Sequence, residues 1–267
     1  MDINDVNVIF ENWGSISLGV RVALIVVGIL IVLAAIFAIG CSIYLAIKYV
    51  KFNKKQNSCH MTGENIARTI LDDNGLSNIK VKCSGSILFG NSYSHYFKKV
   101  RLRRRTWKKE TVSSLAMASQ KSCLAILDKE NDPDMRTRVR LTPVIYFGPI
   151  AFIPLIIIGV IIDMVVSETV GTVTMVCCII GLLFYVLSFI MSIMVLKTEV
   201  KAQNMAYDIV RASGLADEDE IKDMKELFRL YNIEYINDIV ISLLEIILRV
   251  LQIVATKQAS SSSSSSN

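Results

Sequence analysis

The chain is predicted to be a mostly α-helical, multi-pass membrane protein with three to four transmembrane helices and a small α+β cytoplasmic domain. Three observations lead there. Of 267 residues, 52% are hydrophobic and mean hydropathy is +0.48, above the roughly 45–50% apolar usage of soluble domains. The excess is concentrated in three uncharged runs, residues 22–47, 143–162 and 170–196, each long enough as a helix to cross a hydrocarbon core of about 30 Å. The polar segment that follows the first run is strongly basic, and the one that follows the third holds six more Lys and Arg. These runs exclude a secreted or cytosolic globule.

In chain order, residues 1–21 are a short external leader and 22–47 the first transmembrane helix, closed by Lys48, Lys51, Lys54 and Lys55. The preceding segment is acidic and the run is too long for a signal core, so it is expected to be a retained anchor. Residues 48–142 are the soluble domain. Thr62 is placed to cap a helix over 64–73, with Ile66, Ile70 and Leu71 on its apolar face and Gly75 as its stop. Residues 79–83 alternate as a short strand, and Val100 to Leu102 form another candidate strand after the turn-rich stretch 90–96. Residues 110–127 read as a helix with Val112, Leu115, Ala116, Ser119, Cys123 and Ile126 on one face.

Runs 143–162 and 170–196 are the second and third transmembrane helices, a hairpin joined by 163–169. Residues 197–236 form a cytoplasmic helical segment, with helices at 199–213 and 219–230. Residues 237–256 are a fourth helix, and spanning is favoured over lying at the interface. Its apolar part is only 16 residues long and holds Glu245 and Arg249, spaced to pair on one face. Residues 257–267, with seven consecutive serines, are expected to be a disordered tail.

Charge orients these elements. Residues 48–142 carry 20 Lys and Arg against eight acids, and 197–236 hold six more bases. The leader has only Arg21, and 163–169 has no base. Basic loops stay cytoplasmic, which puts the chain in the cell membrane with its N-terminus outside and the main soluble domain in the cytoplasm. The six cysteines show no C-x-x-C pair, and in a reducing compartment disulfides are not expected. Only His60 and His95 are present, so a three-histidine metal site is excluded, as is any H-E-x-x-H motif.

Several motifs in order then resemble one family. HMTGENIARTILDDNG at 60–75 is similar to the opening MTGxxxARxILxxNG of the YugP-like neutral zinc metallopeptidases of bacterial membranes. NSYSH at 91–95 falls where that family has DHYDP, and KVRL at 99–102 on its TVRL. SLAMAS at 114–119 falls on the run leading into HExGH, LKTEVKA at 196–202 on LPVEFxA, and ISLLEIILR at 241–249 on the closing SLLELLR. Together they cover about residues 20–255 in the same order of spans, which is a stronger signal than any single motif. The resemblance implies a zincin-like soluble domain and descent from a zinc-dependent peptidase.

At the catalytic positions the chain departs from the family. Counted without a gap from Arg101 and Leu102, HExGH lands on Gln120, Lys121, Ser122, Cys123 and Leu124. In a zincin helix, two histidines four apart bind zinc and the glutamate between them polarises water. Gln120 is a poor ligand, Leu124 has no donor, and Lys121 puts a cation where the base belongs. Glu199 is the one carried-over acidic ligand that survives. Without partners it is expected to be a solvated or capping carboxylate at the start of its helix. The DHYDP counterpart keeps Tyr93 but neither acid, and Tyr93 and Tyr96 are expected to be packing residues.

The main expectation is therefore a pseudopeptidase, without zinc, that binds a membrane or membrane-proximal protein. An active peptidase with a rebuilt site is the alternative, using His95, Cys123 and Glu199, or Cys59, His60 and Cys83. A structural, anionic-lipid-binding protein is the third reading. It would use the patch Arg101, Arg103, Arg104, Arg105, Lys108 and Lys109, with Trp107 as an interfacial anchor. That patch equally reads as a solvated basic face. Nucleic acid is not expected as a partner, because the run sits in a membrane-tethered domain.

Overall fold

The computed structural model describes residues 13–85, 90–166 and 172–264. The described chain is dominated by seven α-helices and a three-stranded sheet: α1 (Leu18–Phe52), α2 (Gly63–Asp73), β1 (Lys80–Ser84), β2 (Ser92–Ser94), β3 (Lys99–Arg103), α3 (Arg104–Lys108), α4 (Val112–Lys129), α5 (Pro133–Val166), α6 (Thr172–Ala212) and α7 (Glu218–Ser264). They divide into two compact units. One comprises Met1–Ile39, Pro143–Ser192 and Asn237–Asn267, the other Gly40–Thr142 and Ile193–Ile236.

The first unit is built from apolar helix. Among the described residues α1, α6 and α7 each contain a stretch long and apolar enough to cross a membrane. Large side chains along α1 face outward, Ile29 at 54% and Ile36 at 60% exposure, a surface that water does not tolerate and lipid does. The expected span 143–162 is helical within α5, but its side chains at 143–153 lie outside the described residues. Val170 and Gly171 of the expected third span also lie outside them.

Close approach and polar pairs knit this unit. A Cβ on Gly159 would meet Thr174 Cα at 2.8 Å, so α5 and α6 touch backbone to backbone there. The buried Asp163 carboxylate accepts from the Val173 and Thr174 amides at 3.1 and 2.8 Å and from Thr174 Oγ1 at 2.7 Å, satisfying two of the orphan donors at the start of α6. Tyr185 donates its hydroxyl to Glu245, so a carboxylate on the apolar part of α7 has a partner on α6.

The second unit forms around α4. Thr111 caps it through the Ser114 amide, and every residue from Val112 to Leu127 is buried. The expected apolar face is correct, but the helix has no solvated face to set against it. Sequence periodicity cannot reveal this, because the small and polar side chains of α4 are buried through hydrogen bonds, some to its own preceding turn and some to residues distant in the chain. Ser119 Oγ donates to the Leu115 carbonyl at 2.7 Å, and Ser113 Oγ to Asn53 Oδ1 at 3.2 Å. Around α4 lie Phe52, Ile66, Ile70, Leu71, Val100, Leu102, Ala202, Ala206, Ile221, Met224 and Phe228.

α2 follows its sequence signals. Thr62 Oγ1 accepts from the Asn65 amide at 3.3 Å, and Gly75, at φ 66°, lets the chain leave the helix. Strands β1 and β3 pair in parallel with Val81 opposite Val100, and β2 adds antiparallel to β3, giving the order β1-β3-β2. β2 lies inside the stretch read as turn, since three residues of Ser and Tyr carry too little alternation to announce a strand.

Three expectations change. The basic run 101–109 is not one surface segment: Arg101 and Arg103 belong to β3, and Arg104 and Arg105 begin α3. Trp107 packs against the core of the second unit rather than standing free as an interfacial anchor. The helices expected at 199–213 and 219–230 continue α6 and α7 without a break. Neither Gly nor Pro stands at 197–199 or 231–238 to end a helix, so hydropathy changes there while the backbone hydrogen bonding does not. α7 also runs on to Ser264, so its helical backbone includes part of the serine run, and residues 265–267 lie outside the described set.

Candidate functional site

The polar centre of the second unit is the carboxylate of Glu199. It lies on α6, three residues past the apolar run, and is 2% exposed. Gln120 Nε2 and Lys121 Nζ, from adjacent positions on α4, donate to its Oε2 at 2.9 and 2.6 Å. Arg138 Nη2, from α5, donates to Oε1 at 2.8 Å, while Arg138 Nη1 donates to Thr198 Oγ1 at 2.7 Å. Three helices thus converge on one carboxylate and occupy both of its oxygens.

The electrostatics follow from that geometry. Burial alone would raise the Glu199 carboxyl. The Lys121 ammonium and Arg138 guanidinium outweigh it and hold the carboxyl below the usual carboxylate range. Glu199 is therefore neither solvated nor a helix cap, because α6 begins 27 residues earlier, at Thr172. Two monovalent cations compensate a buried anion, an arrangement in which each ion depends on the others.

The same unit holds a second polar group. Tyr93 Oη and His95 Nδ1 both meet Asp128 Oδ2 at 2.6 Å, at the C-terminal end of α4. Burial and the Asp128 contact push the Tyr93 hydroxyl up, keeping it protonated. Tyr93 packs on the core as expected, but Tyr96 is 60% exposed and donates its hydroxyl to the Val139 carbonyl at 3.0 Å.

Of the predicted site residues, Gln120, Lys121 and Glu199 are brought together, while Leu124 is buried in the core. His95, Cys123 and Glu199 do not assemble. Among the described residues no group of three His, Cys, Asp or Glu side chains could hold a metal ion. That also sets aside Cys59, His60 and Cys83 as a ligand set: Cys83 is exposed, and His60 Nδ1 lies 3.2 Å from Gln56 Nε2. Burial pushes the Cys123 thiol up, away from the thiolate that a ligand or nucleophile needs. Arg138 and Asp128 were not singled out from sequence. Arg138 sits in a basic cluster that positive-inside topology already accounts for, and no spacing rule links it to Glu199, 61 positions away.

Comparison with known proteins is consistent with this layout. The family described as "Putative neutral zinc metallopeptidase" matches residues 27–255. The "Putative membrane protease YugP" of Bacillus subtilis (strain 168) is 22% identical over 222 residues, covering 82% of this chain and 94% of that protein. No solved structure matches.

Proposed function

Because the chain belongs to the neutral zinc metallopeptidase family, we propose that it is a catalytically degenerate member acting by binding a membrane or membrane-proximal protein. The observation that carries this reading is the Glu199 cluster. The family implies zinc, and the residues present do not fit it. A zinc site needs three or more anionic or neutral donors with free lone pairs. Here Glu199 is engaged on both oxygens, Gln120 turns its amide nitrogen to the carboxylate, Leu124 has no donor, and Lys121 brings its own positive charge. A dication entering beside Lys121 and Arg138 would meet two cations already in place. The buried ion network serves as scaffold, holding α4, α5 and α6 together where the family carries out hydrolysis.

The proposed placement follows charge: N-terminus outside, with the second unit in the cytoplasm among the bulk of the Lys and Arg residues. Elemental analysis of the purified full chain tests the central claim. The expected result is no stoichiometric zinc and no chelator-sensitive cleavage of an unfolded substrate. About one zinc per chain, lost on Glu199→Ala, would overturn it. Crosslinking in intact membranes, followed by identification of the captured protein, tests the partner.

A further inference from the structure

The outer face of the sheet carries an unbalanced charge array. β1 and β3 pair so that Lys80 stands opposite Lys99, Lys82 opposite Arg101 and Ser84 opposite Arg103. Paired residues point to the same side, and alternation sends Val100 and Leu102, both fully buried, to the core on the other. Two like-charged pairs thus lie directly across from each other, which destabilises a sheet. Among the described residues none of Lys80, Lys82, Lys99, Arg101 and Arg103 is in an ion pair. Desolvation, with the charges of Arg101 and Lys82, holds Lys99 below the ordinary lysine value. Other lysines of this unit, Lys48, Lys55, Lys197 and Lys201, do find carboxylates.

An apolar side chain accompanies it. The turn after β2 closes by the Lys98 amide donating to the His95 carbonyl at 3.2 Å, with Lys98 at φ 42°. It presents Phe97 at 67% exposure, outside the core. Lys99 Nζ lies 4.4 Å from the centroid of that ring, which ties Phe97 to the basic face.

We propose that this sheet face, with Phe97 as a shallow apolar wedge, docks on a bilayer surface rich in anionic phospholipid. Five cations outside the ion pairs, gathered on one sheet face, match a layer of headgroup phosphates, and an exposed ring beside them suits the acyl boundary. An acidic polypeptide would use the cations but gives no role to the phenyl ring, and a nucleic acid, which would stack a base on it, is an outcome the test below separates. A chain with membrane-spanning helices also has lipid as its constant neighbour. The surface differs from the linear run 101–109: it takes Arg101 and Arg103 from that run and adds Lys80, Lys82 and Lys99.

The test uses the full chain carrying Phe97→Trp, in nanodiscs of phosphatidylcholine alone or mixed with phosphatidylglycerol. Brominated acyl chains are expected to quench the added indole in the mixed discs and not in the zwitterionic ones. Lys82→Gln and Arg101→Gln should each lower the docked-to-free ratio about fivefold, the factor that about 1 kcal/mol per basic residue implies. Each removes a like-charge pair, so an unchanged or higher melting temperature confirms that folding is intact. Equal quenching by aqueous acrylamide in both discs overturns the proposal. So does release of the indole from lipid by an equimolar oligonucleotide or polyglutamate at physiological ionic strength.

Discussion

At the residue scale, Glu199 shows how a surviving ligand position can acquire another use. Its carboxylate is balanced by Lys121 and Arg138 at 2.6 and 2.8 Å, so the three groups should be coupled. Lys121→Ala leaves a buried carboxylate with one cation and is expected to destabilise the protein by about 3–5 kcal/mol. Combined with Glu199→Gln it should cost less than the two single losses added, by about 1 kcal/mol or more. Denaturant titration of the four proteins in detergent reads this cycle.

The same carboxylate sets a response to acid. Glu199 is held below its ordinary range, as is Asp134 by Lys197 and Lys201; Asp132, whose burial acts the other way, is brought down by Lys201. A carboxylate depressed in the folded state contributes stability above its unfolded value, near pH 4, and loses it as pH falls through the lower folded value. Thermal melts should therefore be flat with respect to these groups near neutrality and fall progressively below about pH 4. In Glu199→Gln that fall should be shallower.

At the scale of the element, the segment leading into α2 shows why a motif can outlive its chemistry. Asn57 Nδ2 donates to the Met61 carbonyl at 2.8 Å, and the Met61 amide donates to Asn57 Oδ1 at 3.1 Å. Thr62 caps the helix, and a Cβ on Gly63 would come within 2.1 Å of the Thr106 carbonyl oxygen. This is packing between α2 and α3, independent of any metal. Gly63→Ala must shift one backbone against another and is expected to cost about 1–3 kcal/mol, read as a lowered melting temperature. Thr62 and Gly75 were legible because caps have local signatures; the need for Gly63 was not, since Thr106 is 43 positions away.

At the scale of the whole molecule, the first and third uncharged runs fall on α1 and α6, which are long and apolar enough to cross, and α7 also has the length and hydropathy to cross. Its carboxylate Glu245 is partnered by Tyr185, which lowers the cost of carrying a polar group into lipid. If the run 143–162 within α5 crosses as well, as its sequence predicts, the crossings number four and both termini face the same side. Protease protection of tags at each end of the chain in sealed vesicles is expected to show them protected or cleaved together. Opposite behaviour would mean an odd number of spans.

By itself the sequence determined the membrane class, the apolar stretches, the cap and stop of α2 and the family, because each depends on local composition, short spacing or motif order. It also brought Gln120, Lys121 and Glu199 forward as one former site. Tertiary structure alone decided what those residues do: Arg138 completes the balance on Glu199, α4 is buried on every side, and Lys80, Lys82, Lys99 and Arg101 share one sheet face. Those facts rest on groups far apart in the chain, and only folding sets the distances on which charge interactions and burial depend.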